Sequence, residues 1–508
     1  MSSIAAQFSR GYNAIASSFR KSFLFIAFFN ILIFLPVLGH YFFSDDWLVI
    51  AAGKYGMEQL PPGDTNRLLF CPFFLATYSV EYFLFKDNAF LWHITNLLFH
   101  LLALFLLLKL LRKIASGKTA FLLALSFSCL TLNTTAVAWV NVGGYILFFA
   151  SFLGLFYCLL SYGETQRTKF LAGAFCCAIL ACFLYENGIF ASLAAFFYLR
   201  QNLKSKGIKF SWQREGLLLW PVVLYTVGFF VFKAQILATY APYLWAPQPQ
   251  AQPRFLTGLI ILPLLIIWWV LGLLLPSAVV WVLPSKLWRL IFHLSFRPLS
   301  AGMVINFFVS LILASTLFLA LSKERARKYR HLLVALGTIT FFYAFVIAVG
   351  RGSTSGLAYT LGYNAHYCYL FSGYLTIIAA SLIDPASFSA GVKKLVMPLA
   401  VIFILLNAFY SFKVNYYTRE ESKIFFQYKK YLADFVARHR AEPDFSFQVK
   451  NDVIIFFTTP PLPLAEIFCD KRYLTEIKPK YTLDMHETDF YKEYKRLVAK
   501  PPKVWYNY

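Results

Sequence analysis

The chain contains repeated apolar runs, each long enough to cross a lipid bilayer as a helix. About 20 helical residues span the roughly 30 Å of hydrocarbon, and runs of this kind occupy residues 22–42, 90–111, 216–232 and 398–412. A bilayer offers no water to unpaired backbone groups, and the runs lack the alternation that a closed barrel needs. The composition, 59% hydrophobic and 14% charged, agrees. The sequence therefore predicts an all-α polytopic membrane protein.

Eleven spans are predicted, and one ambiguous segment extends the range to 11–13. The spans lie near residues 22–42, 90–111, 119–139, 144–162, 169–185, 187–199, 216–235, 303–321, 331–349, 364–383 and 395–413. The segment 255–284 is apolar enough to cross, but a single crossing there would reverse every later loop. Its three prolines are compatible with broken helices. It is a re-entrant hairpin, two short spans or a surface helix.

The basic residues predict the orientation of the chain. The segments assigned to the inside hold 21 Lys and Arg, whereas the outside segments before the tail hold eight. Positive residues favour cytoplasmic loops, so the N-terminus is expected in the cytoplasm, of a cell inner membrane if the protein is bacterial. The net charge of +23 lies in clusters between apolar runs. The expected partner of these charges is therefore membrane lipid, not nucleic acid.

The composition changes after the last predicted span. Residues 1–414 form the predicted membrane module, which includes a first extracytoplasmic loop at 43–88. Residues 415–508 hold 13 of the 24 acidic residues. Strand-like stretches at 445–449 and 453–457 lie between helix-like stretches at 420–438 and 490–498. This pattern predicts a small α/β domain, which parity places outside the cell membrane.

The acidic residues of the membrane module are concentrated in the first outside loop. Six of the 11 Asp and Glu before residue 415 lie there, and Asp45 and Asp46 follow the first span directly. Adjacent carboxylates at a membrane surface repel each other and lose hydration, which raises the pKa of one and suits it to act as a base. The alternative is a solvated cap, because Ser44-Asp45-Asp46 also suits a helix N-terminus.

Three polar residues open the second predicted span. His93, Asn96 and His100 are spaced i, i+3, i+7 and share one helix face. Polar groups in a span face protein or a water-filled cavity, so these side chains either bind substrate or bond neighbouring helices. Asn is a poor zinc ligand, and no third strong ligand has suitable spacing. The prediction is that no metal site is present.

The order of these features resembles the GT-C glycosyltransferases. An acidic pair follows the first span, a proline-led helix follows it, and His-x-x-Asn-Leu-Leu-x-His opens the second span. The closer resemblance is to the protein O-mannosyltransferase-like branch, which includes the TMTC proteins and many bacterial membrane glycosyltransferases. It is strongest over residues 40–112, diffuse over 120–385 and does not cover the tail. It implies a GT-C-like membrane fold.

The resemblance also implies roles for individual residues. It makes Asp45 the catalytic base, with Asp46 beside it. The family's Lys-Glu turn reads Tyr185-Glu186-Asn187 here, and its Arg-Pro pair reads Cys71-Pro72, with Arg67 one turn earlier. Its late Arg-Tyr reads His366-Tyr367, with Arg351 upstream. The implied substrate-binding residues are Arg67, His93, Asn96, His100, Glu186, Arg351, His366 and Tyr367.

The implied activity is an inverting transfer of a sugar from a polyprenyl-phosphate donor to an extracytoplasmic glycan, lipid or protein. No cofactor is required, although a diphosphate donor would favour a divalent metal. Two alternatives remain. A transporter or flippase of lipid-linked glycans would carry polar residues at mid-membrane and repeated halves. A catalytically silent relative would act as a scaffold and bind a partner through its tail.

Overall fold

The structure is a computed structural model that describes most of the predicted membrane module. The described residues are 11–42, 46, 50, 53–54, 71–131, 133–231, 321–351, 367–383, 390–439, 447–450 and 481–484, with scattered residues at 262–270 and 309–318. The predicted span 303–321 and the segment 255–284 fall largely outside this part of the chain.

The described residues form an α-helical bundle that confirms the predicted polytopic membrane fold. Its helices are α1 (Phe19–Phe34, continued by a 3-10 turn Leu35–Gly39), α2 (Pro72–Phe85), α3 (Ala89–Ile114), α4 (Gly117–Cys129), α5 (Asn133–Ala138), α6 (Gly143–Thr165), α7 (Thr168–Leu184), α8 (Gly188–Ser205), α9 (Glu215–Val231), α10 (Lys323–Lys328), α11 (Arg330–Arg351), α12 (Cys368–Leu382) and α13 (Ala390–His439). Two short strands follow, β1 (Phe447–Lys450) and β2 (Tyr481–Asp484).

Five of the described helical segments are long and apolar enough to cross a membrane. They are Phe19–Gly39, Ala89–Ile114, Val140–Thr165, Arg330–Ala348 and Leu395–Tyr416. Shorter apolar helices accompany them, namely α4, α7, α9 and α12. Apart from α4, which covers only part of its predicted span, each of these segments overlaps a predicted span over most of its length, because a long run of apolar residues has no other stable backbone arrangement in lipid.

Successive helices run in opposite directions, so the connections between them lie alternately at two opposite ends of the bundle. At the first, which we call the Arg325 end, Arg325 Nη2 donates to the carbonyl oxygens of Ile114 (2.6 Å) and Ala380 (2.7 Å). These carbonyls belong to the last turns of α3 and α12, where intrahelical partners run out. The second, which we call the Asp46 end, holds the turns 86–88, 139–142 and 185–187.

A hydrogen-bonded chain crosses the interior between these ends. His100 on α3 lies between Asn30 on α1 and Tyr369 on α12: its Nε2 is 3.2 Å from Asn30 Oδ1 and its Nδ1 is 2.8 Å from the Tyr369 hydroxyl. The helix of Tyr369 also carries Ser372, which donates to Asn133 Oδ1 at 3.2 Å. Helices in lipid gain little from apolar contact alone, so bonds of this kind fix which helices are neighbours.

The third predicted span differs from the expected single helix. The run 119–139 divides into α4 and α5. At the break, Asn133 Nδ2 donates to the carbonyl of Phe127 at 2.7 Å, which supplies a partner to the end of α4. The second half therefore re-enters the bundle as a short buried helix.

The last helix continues past its membrane segment without interruption. α13 runs for 50 residues, and only Leu395–Tyr416 is apolar enough to span. The predicted boundary at 414/415 lies inside this helix. Beyond it, β1 overlaps the predicted strand 445–449 and pairs in parallel with β2, with Phe447 opposite Tyr481. The predicted elements at 453–457 and 490–498 lie outside the described residues.

Candidate functional site

Asp46, the second residue of the acidic pair, gives its name to the Asp46 end of the bundle. Asp46 is fully buried, and its Oδ1 accepts a hydrogen bond of 2.9 Å from the backbone N–H of Asn141. Asn141 belongs to a 3-10 turn, Val140–Val142, that precedes α6. Asp45, its neighbour, lies outside the described residues. The carboxylate that follows the first span is thus tied to a turn 95 residues later in the chain.

The helix α2 lies against the same turn. The Tyr78 hydroxyl donates to the carbonyl of Asn141 at 2.8 Å. The backbone N–H and the carbonyl of Asn141 are therefore both hydrogen-bonded within the site. At the start of α2, the Cys71 thiol is 3.4 Å from Glu186 Oε2. Glu186, which the sequence left without a partner, therefore meets the beginning of the proline-led helix.

Two glycines allow this close packing. A β-carbon at Gly143 would overlap the side-chain oxygen of Asn96, and one at Gly144 would overlap the ring of Phe74. Glycine is the residue that permits such close approach of a backbone. Asn96 Nδ2 in turn donates to the carbonyl of Trp139 at 3.0 Å, so α3 fixes the turn that holds Asp46.

The other two polar residues of α3 have opposite environments. His100 has both ring nitrogens bonded, in the interior chain described above. His93 is fully buried, and neither of its ring nitrogens has a hydrogen-bond partner among the described residues. Its ring contacts those of His40 (centroids 5.6 Å apart) and Phe42 (6.5 Å). A buried polar group without a partner is costly, so it calls for an explanation.

Sequence reasoning missed His40 and Arg419, which complete this cluster. His40 Nε2 lies 2.8 Å from the carbonyl oxygen of Asn415 on α13. Arg419, one turn further along α13, lies over Gly39: a β-carbon there would be 2.5 Å from its Nε. The available signal was a cation placed directly after the apolar segment that ends at Tyr416. Arg419 was assigned to the tail, 415–508, because the composition of the sequence changes after the last predicted span.

Asn187 is a third residue that the sequence did not single out. It is 1% exposed, and neither polar atom of its side chain has a hydrogen-bond partner in the part of the chain that the structure describes. It follows Glu186 in the turn between α7 and α8, where Tyr185 packs against Tyr145 at a centroid distance of 4.7 Å. The Asp46 end therefore contains unpartnered buried polar side chains on two separate elements.

The remaining predicted site residues divide by position. Tyr367 is buried next to α12; its carbonyl accepts from the Tyr343 hydroxyl at 2.9 Å, and its ring lies 6.0 Å from that of Tyr145. Arg351 ends α11, and its side chain is outside the described part, as are Arg67 and His366. Within the described residues, no group of three or more His, Cys, Asp or Glu is placed to hold a metal ion.

These features define a class: a polytopic α-helical membrane protein with a buried carboxylate, imidazoles and an arginine at one end of its bundle. No protein-family model matches the sequence, and no curated protein matches it. Two solved structures of the oligosaccharyltransferase of Archaeoglobus fulgidus have a similar arrangement of helices.

The first of these structures is archaeal oligosaccharyltransferase AglB in complex with an inhibitory peptide and a dolichol-phosphate. It is 12% identical with a TM-score of 0.44 over 78% of this chain and 56% of that one. The second, tethered with an acceptor peptide, gives 12% and 0.44 over 84% and 57%. The chain thus spans a little over half the length of these proteins. A likeness at this level identifies neither a family nor an activity.

Proposed function

We propose that the chain is a membrane glycosyltransferase that moves a sugar from a polyprenyl-phosphate donor to the hydroxyl of a glycan, lipid or protein. The observation that carries the proposal is the position of Asp46. It is fixed to the turn before α6, at the same bundle end as His40, which follows the first helix, His93 on α3 and Arg419 on α13. A carboxylate and an arginine at one bundle end are the two kinds of group that a transfer from a phosphate ester needs.

In the proposed reaction Asp45 is the general base and Asp46 its anchored neighbour. The acceptor oxygen attacks the anomeric carbon of the sugar, its proton passes to Asp45, and the bond from that carbon to the phosphate oxygen breaks. The carbon is inverted, and polyprenyl phosphate leaves with the bonding electrons. A positioned base of this kind contributes about 10²–10⁴-fold to the rate.

The leaving phosphate needs positive charge. Arg67, Arg351 and His366 are the candidates from the sequence, and Arg419 joins them because of its place beside His40. An Arg stays charged near lipid and pairs two phosphate oxygens at once. By analogy with oxyanion holes, one well-placed donor contributes on the order of 3–4 kcal/mol. Arginine side chains alone can stabilise a monophosphate leaving group, whereas a diphosphate donor would favour a divalent metal.

The proposed sidedness follows the basic residues. The Arg325 end carries Arg112, Lys113, Arg325 and their neighbours, and because positive residues favour the cytoplasmic side, we propose that this end is cytoplasmic. The Asp46 end then faces the opposite side, together with the residues that follow α13. The acceptor and the lipid-linked sugar are expected there.

The test compares Asp45→Asn with Asp87→Asn in cells that lack the native chain. Asp87 is an exposed acid in the turn after α2 and serves as the matched control. Glycans of the cell envelope are profiled by mass spectrometry, and membrane levels of each variant are measured. We expect Asp45→Asn to abolish one glycan at normal protein levels and Asp87→Asn to retain it. An unchanged profile in both variants would overturn the proposed function.

The same pair of variants separates a transferase from a transporter of lipid-linked glycans. A transporter lacks a step in which a carboxylate accepts a hydroxyl proton, so Asp45→Asn would leave the glycan intact. A purified transferase also forms product in detergent, where no membrane divides donor from acceptor. Product formation without a sealed membrane is therefore expected.

A further inference from the structure

A deep apolar groove lies beside the candidate site. Its volume is about 600 Å³, and it is bounded by α2, α3, α6 and α7. Along α3 it follows Thr95, Phe99, Leu102 and Leu106, a single stripe that covers about 16 Å at 1.5 Å per residue. Its rim is accessible from outside the bundle: Leu102 is 45% exposed and Leu180 43% exposed. The groove is thus a long slot that opens along the side of the helices.

The lining of the groove offers almost no hydrogen bonds. The hydroxyls of Thr77, Thr95 and Ser151 each donate to a carbonyl of their own helix, four residues earlier. Apart from the Cys177 thiol, Glu81 is the one ionisable side chain among the described lining residues, and it is 5% exposed. A sugar or a peptide would find its polar groups unpaired here, at considerable cost. The occupant that fits is a hydrocarbon chain.

The helix α2 connects this groove to the candidate site. Tyr78 reaches the carbonyl of Asn141, whose N–H bonds Asp46. On another face of the same helix, Thr77, Val80, Glu81 and Leu84 line the groove. One helix therefore forms a wall of both, and a lipid whose head lies at Asp46 has its tail within reach of the groove.

We propose that the groove holds the isoprenoid chain of the lipid-phosphate donor. This proposal rests on the proposed function and adds the place where the donor's tail binds. The small side chains of Ala76, Ala150 and Ser151 leave room for methyl branches, and the rings of Phe73 and Phe99 offer flat faces to double bonds. A straight acyl chain uses neither feature.

The groove contributes position more than affinity. A hydrocarbon chain that leaves the bilayer for the groove exchanges one apolar environment for another, so only packing distinguishes the two. A tail seated between α3 and α7 restricts its phosphate to the neighbourhood of α2. Effects on binding are therefore expected to be modest and confined to donors with long chains.

The test uses two leucines of α3. Leu102 lines the groove, whereas Leu98 is 57% exposed and does not. Full-length Leu102→Trp and Leu98→Trp are placed in phosphatidylcholine nanodiscs, and equilibrium binding of undecaprenyl phosphate and of geranyl phosphate is measured. The two probes share a headgroup but differ in chain length. We expect Leu102→Trp to weaken binding of undecaprenyl phosphate about fivefold relative to Leu98→Trp, because a filled groove loses close packing.

Geranyl phosphate should bind both variants equally, since its chain is too short to fill the groove. Equal affinities of the two variants for undecaprenyl phosphate would overturn the proposal. Displacement of undecaprenyl phosphate by an equal concentration of dioleoyl phosphatidate would also overturn it, because the groove would then accept any lipid chain. Loss of glycan with Asp45→Asn is a separate result: if it fails while the Leu102 effect holds, the groove stands and the transferase does not.

Discussion

Three deeply buried polar residues, one at the Arg325 end and two at the Asp46 end, differ in their hydrogen bonding. At the Arg325 end, Glu215 is fully buried and its carboxylate accepts bonds from the Tyr162 hydroxyl (2.5 Å), Ser211 N–H (2.7 Å) and Arg214 Nε (2.7 Å). At the Asp46 end, His93 and Asn187 are as deeply buried, but within the described ranges no side-chain polar atom of either residue has a hydrogen-bond partner.

This difference separates anchoring from binding. A fully bonded carboxylate holds a loop in one place, and removing it leaves its donors unsatisfied. A buried imidazole without partners does not stabilise the fold, because its desolvation is not compensated. Its retention is explained when a ligand supplies the missing partner. His93 and Asn187 at the Asp46 end are buried polar groups that lack partners, which agrees with the binding site proposed there.

The largest expected effect concerns the bonded carboxylate of the Arg325 end. Glu215→Ala should destabilise the fold by on the order of 3 kcal/mol, because it leaves the Tyr162 hydroxyl and the Ser211 N–H without their acceptor, whereas the half-exposed Arg214 can be solvated. The control is Glu164→Ala, whose ion pair with Lys113 is 29–44% exposed, and which should cost about 1 kcal/mol or less. Thermal unfolding in detergent measures both. Equal losses would mean that the buried, fully bonded carboxylate anchors this end no more than an exposed ion pair does.

The next effect concerns Glu81, a buried carboxylate near the Asp46 end. Burial raises its pKa from 4.5 to about 8. The folded state therefore holds a proton that the unfolded state releases above pH 4.5, and stability is greatest below that pH. It should fall by about 1.4 kcal/mol per unit as the pH rises towards 8. Glu81→Gln should abolish this slope in unfolding measured across pH, whereas Asp87→Asn should keep it.

A third comparison uses the two histidines of α3. His100→Phe should destabilise the protein by about 2 kcal/mol, because it leaves Asn30 and Tyr369 without their bonds. His93→Phe should leave stability unchanged or higher, since no bond is lost, yet it should reduce sugar transfer. Unfolding temperatures and transfer rates are measured on the same samples. A drop in stability with His93→Phe would mean that this histidine is an anchor like His100.

The smallest effect tests the place of Arg419. Gly39→Ala puts a methyl group where its guanidinium lies, and this flexible side chain can move away. Stability should change by less than about 0.5 kcal/mol, as for most surface substitutions, while affinity for a polyprenyl-phosphate probe falls about threefold. Arg419→Gln should have the same effect, and the double variant no more than either. Arg438→Gln, further along α13, is the control that should leave binding unchanged.

The sequence predicted the helices better than the site. The apolar runs 90–111 and 144–162 correctly predicted α3 and α6, because the thickness of the bilayer sets the length of a spanning helix. The i, i+3, i+7 spacing placed His93, Asn96 and His100 together, but spacing cannot tell a bonded histidine from an unpartnered one. That distinction depends on Asn30 and Tyr369, which lie 70 and 269 residues away. Arg419 escaped notice because a helix that leaves the membrane without a break conceals where the membrane module ends.

That unbroken helix has a mechanical consequence. At 1.5 Å per residue, the part of α13 after Tyr416 extends about 35 Å beyond the apolar segment. No joint separates it from Asn415, which bonds His40, or from Arg419. Because residues 423–439 continue the same helix, a partner that bound and rotated them would also move Arg419 relative to His40 and His93.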